Sequence, residues 1–331
     1  MRICIFGAGA VGGHLAARFA ASGHDVSVIA RGAHLRAMQE KGVRLLHGEE
    51  TIGGRVRAAE RAAELGPQEL VFVTLKANLL DAFARDCGPL LGPRTGVVFA
   101  QNGIPWWYGI GLAAARRRPP DLAPLDPGGA LARAIRPERV MGGVIYSANE
   151  VTGPGVVSNK VPGNNMLVVG EADDAQSERI AGVRDALERS GMSSPPARDI
   201  RAALWAKLLQ NLANSTLSTL TGATVADLRA DPEVAKIAAR IAAEGRAVAE
   251  AHGVDIGLAP QRPGGGHASG MPQHKTSMLQ DYERGRPMEI DAQLVVPLTF
   301  GRAAGVATPT LDVLVPLVAR KAAAKGLYSL V

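Results

Sequence analysis

Three glycines, Gly7, Gly9 and Gly12, follow an apolar run (Ile3-Cys4-Ile5-Phe6) and precede Leu15, Ala16, Ala17, Phe19 and Ala20, which repeat as a helix does. The order strand, glycine turn, helix suits binding of a pyrophosphate. Gly7 permits the tight turn, Gly9 lets the backbone approach the ligand, and Gly12 lets the helix pack close to the strand. Ala8, Ala10 and Val11 complete the turn, whose free N–H groups and helix dipole favour an anion. The bland alternative is a glycine turn without a ligand. The second run, Val28-Ile29-Ala30, ends without an acid and is followed by Arg31. A carboxylate there would accept from a ribose 2′-OH and repel a 2′-phosphate, whereas a guanidinium forks onto the phosphate. NADP(H) is therefore expected over NAD(H), with an exposed surface cation as the alternative for Arg31. Lys76 and Asn102 also lie just past apolar runs, where open α/β sheets bind ligands.

A second set of polar residues lies far along the chain. Lys207, Asn211, Asn214 and Ser218 fall at i, i+4, i+7 and i+11, one face of a helix whose other faces carry Leu204, Leu208, Leu209 and Leu212. A buried ammonium or amide without a partner costs roughly 1–3 kcal/mol or more. The stripe therefore faces solvent or a ligand, and Asn and Ser around one Lys suit a polar ligand better. Thr276-Ser277 and Glu289-Ile290-Asp291 form another polar cluster, equally readable as a loop leading into a helix.

The elements that must hold these residues alternate in the first half. Strands are expected near Arg2–Phe6, Asp25–Ala30, Leu70–Leu75, Val97–Ala100 and Val140–Tyr146, with helices between them. This is the rhythm of a doubly wound parallel sheet. Val43–Leu46 and Arg55–Ala58 read as a small hairpin. Residues Pro105–Ala134, with Trp106-Trp107-Tyr108 and Arg116-Arg117-Arg118, read as a loop inserted near the sheet edge, its aromatics either lidding a site or packing the loop down, with packing favoured. Helices then dominate, near Ile200–Leu220, Pro232–His252, Gln293–Ala304 and Leu311–Lys325. Asp231-Pro232 and Thr308-Pro309 look like helix starts. Pro195-Pro196 separates an α/β domain, 1–196, from an all-helical domain, 197–331.

Composition narrows the class. A chain of 331 residues exceeds one typical core. The net charge of +6 is spread along it, which suits an anionic cofactor and substrate better than nucleic acid. The two cysteines and seven histidines make no metal-ligand spacing. With no apolar run approaching a membrane span and the glycine turn beginning at Gly7, a cytoplasmic protein is expected. The apolar helices of the second half offer a surface for a homodimer.

Gly7–Gly12, Lys76, Gln101-Asn102-Gly103, Trp205-Ala206-Lys207 with Asn211, and Ser277-Met278, Gln280-Asp281 and Glu289-Ile290-Asp291, in this order, resemble the ketopantoate reductase (2-dehydropantoate 2-reductase) family over essentially the whole chain. The resemblance implies a Rossmann domain, a helical domain and a cleft site in which NADPH reduces 2-dehydropantoate to pantoate. It further implies Lys207 as catalytic proton donor, with Glu289, and substrate contacts at Asn211, Asn214, Ser215, Ser277 and His274. On the cofactor side it implies Gly7 to Gly12, Arg31, Lys76, Asn102 and Ala148. Two substrate positions depart from the family pattern. Ser215 stands where an Asn is common, and His274 where another Asn precedes the serine. Both bear on the choice of 2-oxo acid. A related dehydrogenase for another 2-oxo or hydroxy acid, and a non-catalytic NADP-sensing protein, remain the alternatives.

Overall fold

The computed structural model describes residues 1–261 and 275–330. Two compact units emerge, and they are not consecutive halves. Met1–Gln101 and Gly128–Ile200 form the first; Asn102–Pro127 and Arg201–Ala259, with the described residues from Lys275 onward, form the second.

In the first unit the chain runs β1 (Arg2–Phe6), α1 (Ala10–Ala21), β2 (Asp25–Ile29), α2 (Gly32–Lys41), β3 (Val43–His47), β4 (Glu50–Gly54), β5 (Arg57–Ala59), β6 (Gln68–Val73), α3 (Leu80–Asp86) and β7 (Leu91–Phe99). It continues with α4 (Ala130–Ala134), β8 (Val140–Tyr146), β9 (Asn149–Gly153), β10 (Val156–Asn159), β11 (Met166–Glu171) and α5 (Glu178–Arg189). The main sheet has the order β11-β8-β7-β6-β1-β2-β5 and is parallel except for β11 against β8. Its central strands are buried on both faces, which explains their nearly unbroken apolar runs. From β1 the chain goes to β2 on one side, while β6 pairs on the other, so the order reverses at β1.

The expected small hairpin pairs differently. β3 turns back into β4 through Gly48-Glu49, with Gly48 at φ +64°, and β5 instead joins the main sheet beside β2. A two-residue link with a left-handed first residue favours that tight hairpin. The β9–β10 hairpin, which the strand reading did not anticipate, completes a second sheet of order β4-β3-β10-β9. This sheet covers α1, where a Cβ on Gly13 would stand 2.6 Å from Val157 Cγ2.

The second unit is built from α6 (Ile200–Thr221), α7 (Val225–Ala230), α8 (Pro232–Ala251), α9 (Ser277–Glu283), a π turn (Asp291–Val295), α10 (Val296–Ala304) and α11 (Pro309–Ala323). Asp231 caps α8 by accepting from the N–H groups of Glu233 and Val234, and Pro232 follows at the first helical position.

The segment after β7 is not a sheet-edge loop. Residues 102–127 pack with the helices. Tyr108 and Trp107 are buried, Tyr108 lies edge-on to Phe300 at 5.0 Å, and its hydroxyl accepts from Trp205 Nε1 at 2.9 Å. Arg201 is fully buried beneath them. It donates to the Tyr108 carbonyl at 3.0 and 2.7 Å and to the Ile110 carbonyl at 2.6 Å, below the faces of Trp107 and Tyr108. Buried loop carbonyls need donors and a buried cation needs compensation; each supplies the other's need. No helix among the described residues is long and apolar enough to cross a membrane.

Candidate active site

The glycine turn has the geometry its spacing predicts. Gly7 sits at φ +113°, and a Cβ there would meet Leu75 Cδ2 at 2.9 Å. A Cβ on Gly12 would lie 1.9 Å from the Gly7 carbonyl oxygen, so only glycine allows α1 to start so close to β1. Gly9 has nothing within 4 Å of the corresponding point, which leaves its backbone open to a ligand. Ala10 and Val11 open α1, no side chain caps the helix, and its first turn carries no acid. Uncapped N–H groups, an unopposed dipole and an open approach at Gly9 fit a dinucleotide pyrophosphate. Thr74 braces the turn: its hydroxyl donates to the Gly7 carbonyl at 2.7 Å.

Around this turn the first unit places three more predicted residues. Arg31 is exposed two residues past the end of β2 and begins α2, with no acid in that helix's first turn. That suits a 2′-phosphate. Lys76 precedes the short 3-10 turn Ala77–Leu79 beyond β6, next to the switch point between β1 and β6. Ala148 lies between β8 and β9, where its carbonyl accepts from the Lys160 N–H at 2.7 Å and from Asn159 Nδ2 at 3.3 Å.

One turn into α1 a buried polar group supports the cradle. His14 Nδ1 lies 2.8 Å from Asn149 Oδ1, and its Nε2 accepts from Arg18 Nε at 2.8 Å. Burial, then the neighbouring Arg18 charge, holds the imidazole pKa down at about 3. Arg18 also donates to the Ser190 and Gly191 carbonyls at the end of α5.

In the second unit, α6 presents Lys207, Asn211 and Asn214 half-buried along one face, while Ser215 and Ser218 are buried. Ser218 does not serve a ligand-facing stripe, because its hydroxyl pairs with Thr276 Oγ1 at 2.6 Å. Thr276 in turn caps α9 by accepting from the Leu279 N–H, leaving Ser277 exposed at the helix's first position. His274 lies outside the described residues. Glu289 is 7% exposed and stands just before the π turn, where Gln293 Nε2 donates to its carboxylate at 3.4 Å.

Three contacts from distant parts of the chain hold the Glu289 segment. The Met288 N–H donates to the Leu327 carbonyl at 3.0 Å, the Tyr328 hydroxyl to Asp291 Oδ1 at 2.6 Å, and the Ile104 N–H to the Ala292 carbonyl at 2.8 Å. Burial raises the Asp291 carboxyl above its ordinary range, against the lowering effect of the Tyr328 hydrogen bond. The third contact seats Asn102-Gly103-Ile104 on the Glu289 turn, so two residues expected to serve different ligands share one local scaffold. Thr74 and Tyr328 escaped sequence reasoning, and Gly103 entered it only within the Gln101-Asn102-Gly103 stretch, with no sign of its close seat on Ala292. Thr74 ends an apolar run beside the glycine turn, and that position was its only signal.

The model of the family Ketopantoate reductase PanE/ApbA matches residues 3–174, and its C-terminal counterpart matches residues 199–322. The chain belongs to the ketopantoate reductase family. A 2-dehydropantoate 2-reductase of Mesorhizobium japonicum is 43% identical over 99% of this chain and 100% of its own length. A crystal structure of 2-dehydropantoate 2-reductase from Geobacter metallireducens superimposes with a TM-score of 0.80 at 26% identity, covering 97% of this chain and 99% of that one. A D-mandelate dehydrogenase solved with NADH and anilino(oxo)acetate has a TM-score of 0.80 at 21% identity, covering 99% of this chain and all of that one, and shares the fold. As a ketopantoate reductase family member, the chain has the α/β unit and the helical unit expected of it.

Proposed function

We propose that this chain reduces 2-dehydropantoate to pantoate with NADPH. The full-length likeness to a curated 2-dehydropantoate 2-reductase carries the reading. The first unit holds the cofactor, with the Gly7–Gly12 turn on the pyrophosphate, Arg31 on the 2′-phosphate, Lys76 on a ribose or phosphate, and Ala148 beside them; Asn102, the first residue of the second unit, meets the nicotinamide ribose. Bound NADPH supplies the hydride that reduces the C2 ketone.

The second unit supplies the polar groups. The Lys207 ammonium stabilises negative charge growing on the ketone oxygen and then donates its proton. Asn211 and Ser277 hold the substrate carboxylate or hydroxyl and so fix the face that reacts. Asn214, Ser215 and His274 belong to the same substrate side. Glu289 orients Lys207 or accepts from a substrate hydroxyl. The Arg116–Arg118 run has a structural use that argues against a nucleic-acid partner: Arg117 donates to the Ala251 and Ala303 carbonyls at helix ends. A cytoplasmic homodimer joined through the helical unit completes the reading, and light scattering tests that assembly.

NADPH oxidation measured with ketopantoate and a panel of 2-oxo acids tests the function. Ketopantoate is expected to turn over best; a different acid preferred by a wide margin moves the enzyme to the related-dehydrogenase reading, and cofactor binding without any oxidation moves it to the sensor. Lys207→Ala is expected to lower kcat by about 10²–10⁴ while the melting temperature holds. Full turnover by a folded Lys207→Ala protein would remove this lysine from the chemistry.

A further inference from the structure

The turn that carries Glu289 contains a built-in vacancy in its hydrogen bonding. In the π turn the Val296 N–H donates five residues back, to the Asp291 carbonyl. The Ala292 carbonyl has thereby lost its ordinary helical donor, Val296. Its donor in the π pattern would be residue 297, and that residue is proline, which has no N–H. A buried carbonyl left in this state must find another donor or cost roughly 1–3 kcal/mol. The donor it finds is the Ile104 N–H, at 2.8 Å.

The approach is tight enough to define a register. Gly103 has φ +84°, and a Cβ on it would stand 2.2 Å from the Ala292 oxygen, 2.4 Å from its carbonyl carbon and 2.9 Å from the Gln293 nitrogen. Only glycine fits, and the close seat fixes where the neighbouring Asn102 begins. The same backbone, three residues earlier, carries Glu289.

We propose that Pro297 is a positioning residue: by denying the π turn an amide it reserves the Ala292 carbonyl for Ile104, and so sets Asn102 in register with Glu289. This rests on the reading of Asn102 and Glu289 as ligand-side residues. Pro297 itself touches no ligand in this account; it acts through Asn102.

Pro297→Ala returns an N–H that competes for the Ala292 carbonyl. Gly103→Ala attacks the same seat from the other side, and serves if Pro297→Ala is unstable. Two readouts in the full-length protein decide the matter. The first is amide hydrogen exchange at Ile104, read without any ligand. Protection is expected to fall at least about tenfold in Pro297→Ala with the melting temperature nearly unchanged. Unaltered protection overturns the proposal. The second is a double-mutant cycle on kcat/KM for the 2-oxo acid. Pro297→Ala is expected to lower kcat/KM about tenfold in the wild-type background and to add little once Asn102→Ala is present. Effects that multiply overturn it, because Pro297 would then not act through Asn102. The Asn102→Ala single variant separates the two failures: if it keeps full kcat/KM, the ligand-side reading of Asn102 fails while the exchange result at Ile104 still judges Pro297.

Discussion

The glycine turn of the first unit and the Glu289 turn of the second are both places where backbone meets backbone too closely for a side chain, yet they are made in opposite ways. At the first, Gly7, Gly9 and Gly12 lie within six residues; contacts to Leu75, to Thr74 and to each other require Gly7 and Gly12, while Gly9 faces open space. At the second, residues 102–104, 288–297 and 327–328 come from three distant stretches and are joined by single hydrogen bonds. The first is a unit of local chain geometry laid on a sheet. The second exists only once the helices have packed. A local cradle tolerates little change in its own residues, whereas an assembled one can be undone from far away.

Acid should separate the two regions most strongly. Folded His14 stays neutral down to about pH 3, while the unfolded imidazole takes its proton near 6.5. Between those values the unfolded state binds more protons, so stability drops by roughly 1.4 kcal/mol for each unit by which the pH is lowered. Asp291 has the opposite sign. Its folded carboxyl is raised by burial, so it takes a proton before the unfolded one does; its contribution is favourable at low pH and is lost as pH rises through the folded value. Hydrogen exchange followed from pH 7 to pH 4 should show α1 losing protection while residues 288–293 keep theirs. His14→Gln should spare about 3 kcal/mol of the loss in urea titrations over the same range. Simultaneous loosening of both regions, unchanged in the variant, would contradict this.

Within the glycine turn, two substitutions separate packing from ligand access. Gly12→Ala drives a Cβ to 1.9 Å from the Gly7 oxygen and 2.6 Å from Thr74 Oγ1. It should weaken NADPH binding about 10²-fold, roughly 2.7 kcal/mol, and lower the melting temperature as well. Gly9→Ala enters open space, so the melting temperature should hold while NADPH affinity still drops about tenfold. Calorimetric titration with NADPH measures both, and undiminished binding by Gly9→Ala would break the assignment of that opening to a pyrophosphate. Arg31→Ala should raise the KM for NADPH by about tenfold or more, the value of a charge-assisted hydrogen bond, and leave the KM for NADH unchanged. Equal rises for both cofactors would move Arg31 off the 2′-phosphate.

The same contrast explains what could be read before folding. The parallel sheet was legible because its strands are short, apolar and separated by helical periods, and the glycine turn because its requirements lie within one stretch. The helices announced themselves through caps such as Asp231-Pro232. The second sheet was not legible: β9 and β10 have mixed burial and join β3 across about 110 residues. The Trp106-Trp107-Tyr108 segment was misplaced because its partner, Arg201, is a single cation far along the chain. At the candidate site, Lys207, Asn211 and Asn214 follow from helical spacing, and Ser218 was misread because its partner Thr276 lies on another element. Nothing in the local sequence says that the Ala292 carbonyl needs a donor from residue 104; that need appears only when a π turn meets Pro297.

Tyr328 offers the mildest test of the assembled turn. Its hydroxyl donates to Asp291 Oδ1 at 2.6 Å, two residues from Glu289. The bond is strongest when the carboxylate is ionised, because a charged acceptor roughly doubles what a neutral one gives. Tyr328→Phe leaves the ring in place and removes only the donor, so a half-buried carboxylate loses a partner. At pH 8 the variant should be less stable by about 1–2 kcal/mol, and kcat should fall a few fold as Glu289 loses one of its anchors. At pH 4, with Asp291 carrying its proton more often, the deficit should shrink. Urea unfolding at the two pH values measures the difference between deficits. Equal losses at both would mean that the ring's packing, not the hydrogen bond to an ionised Asp291, is what Tyr328 contributes to the turn.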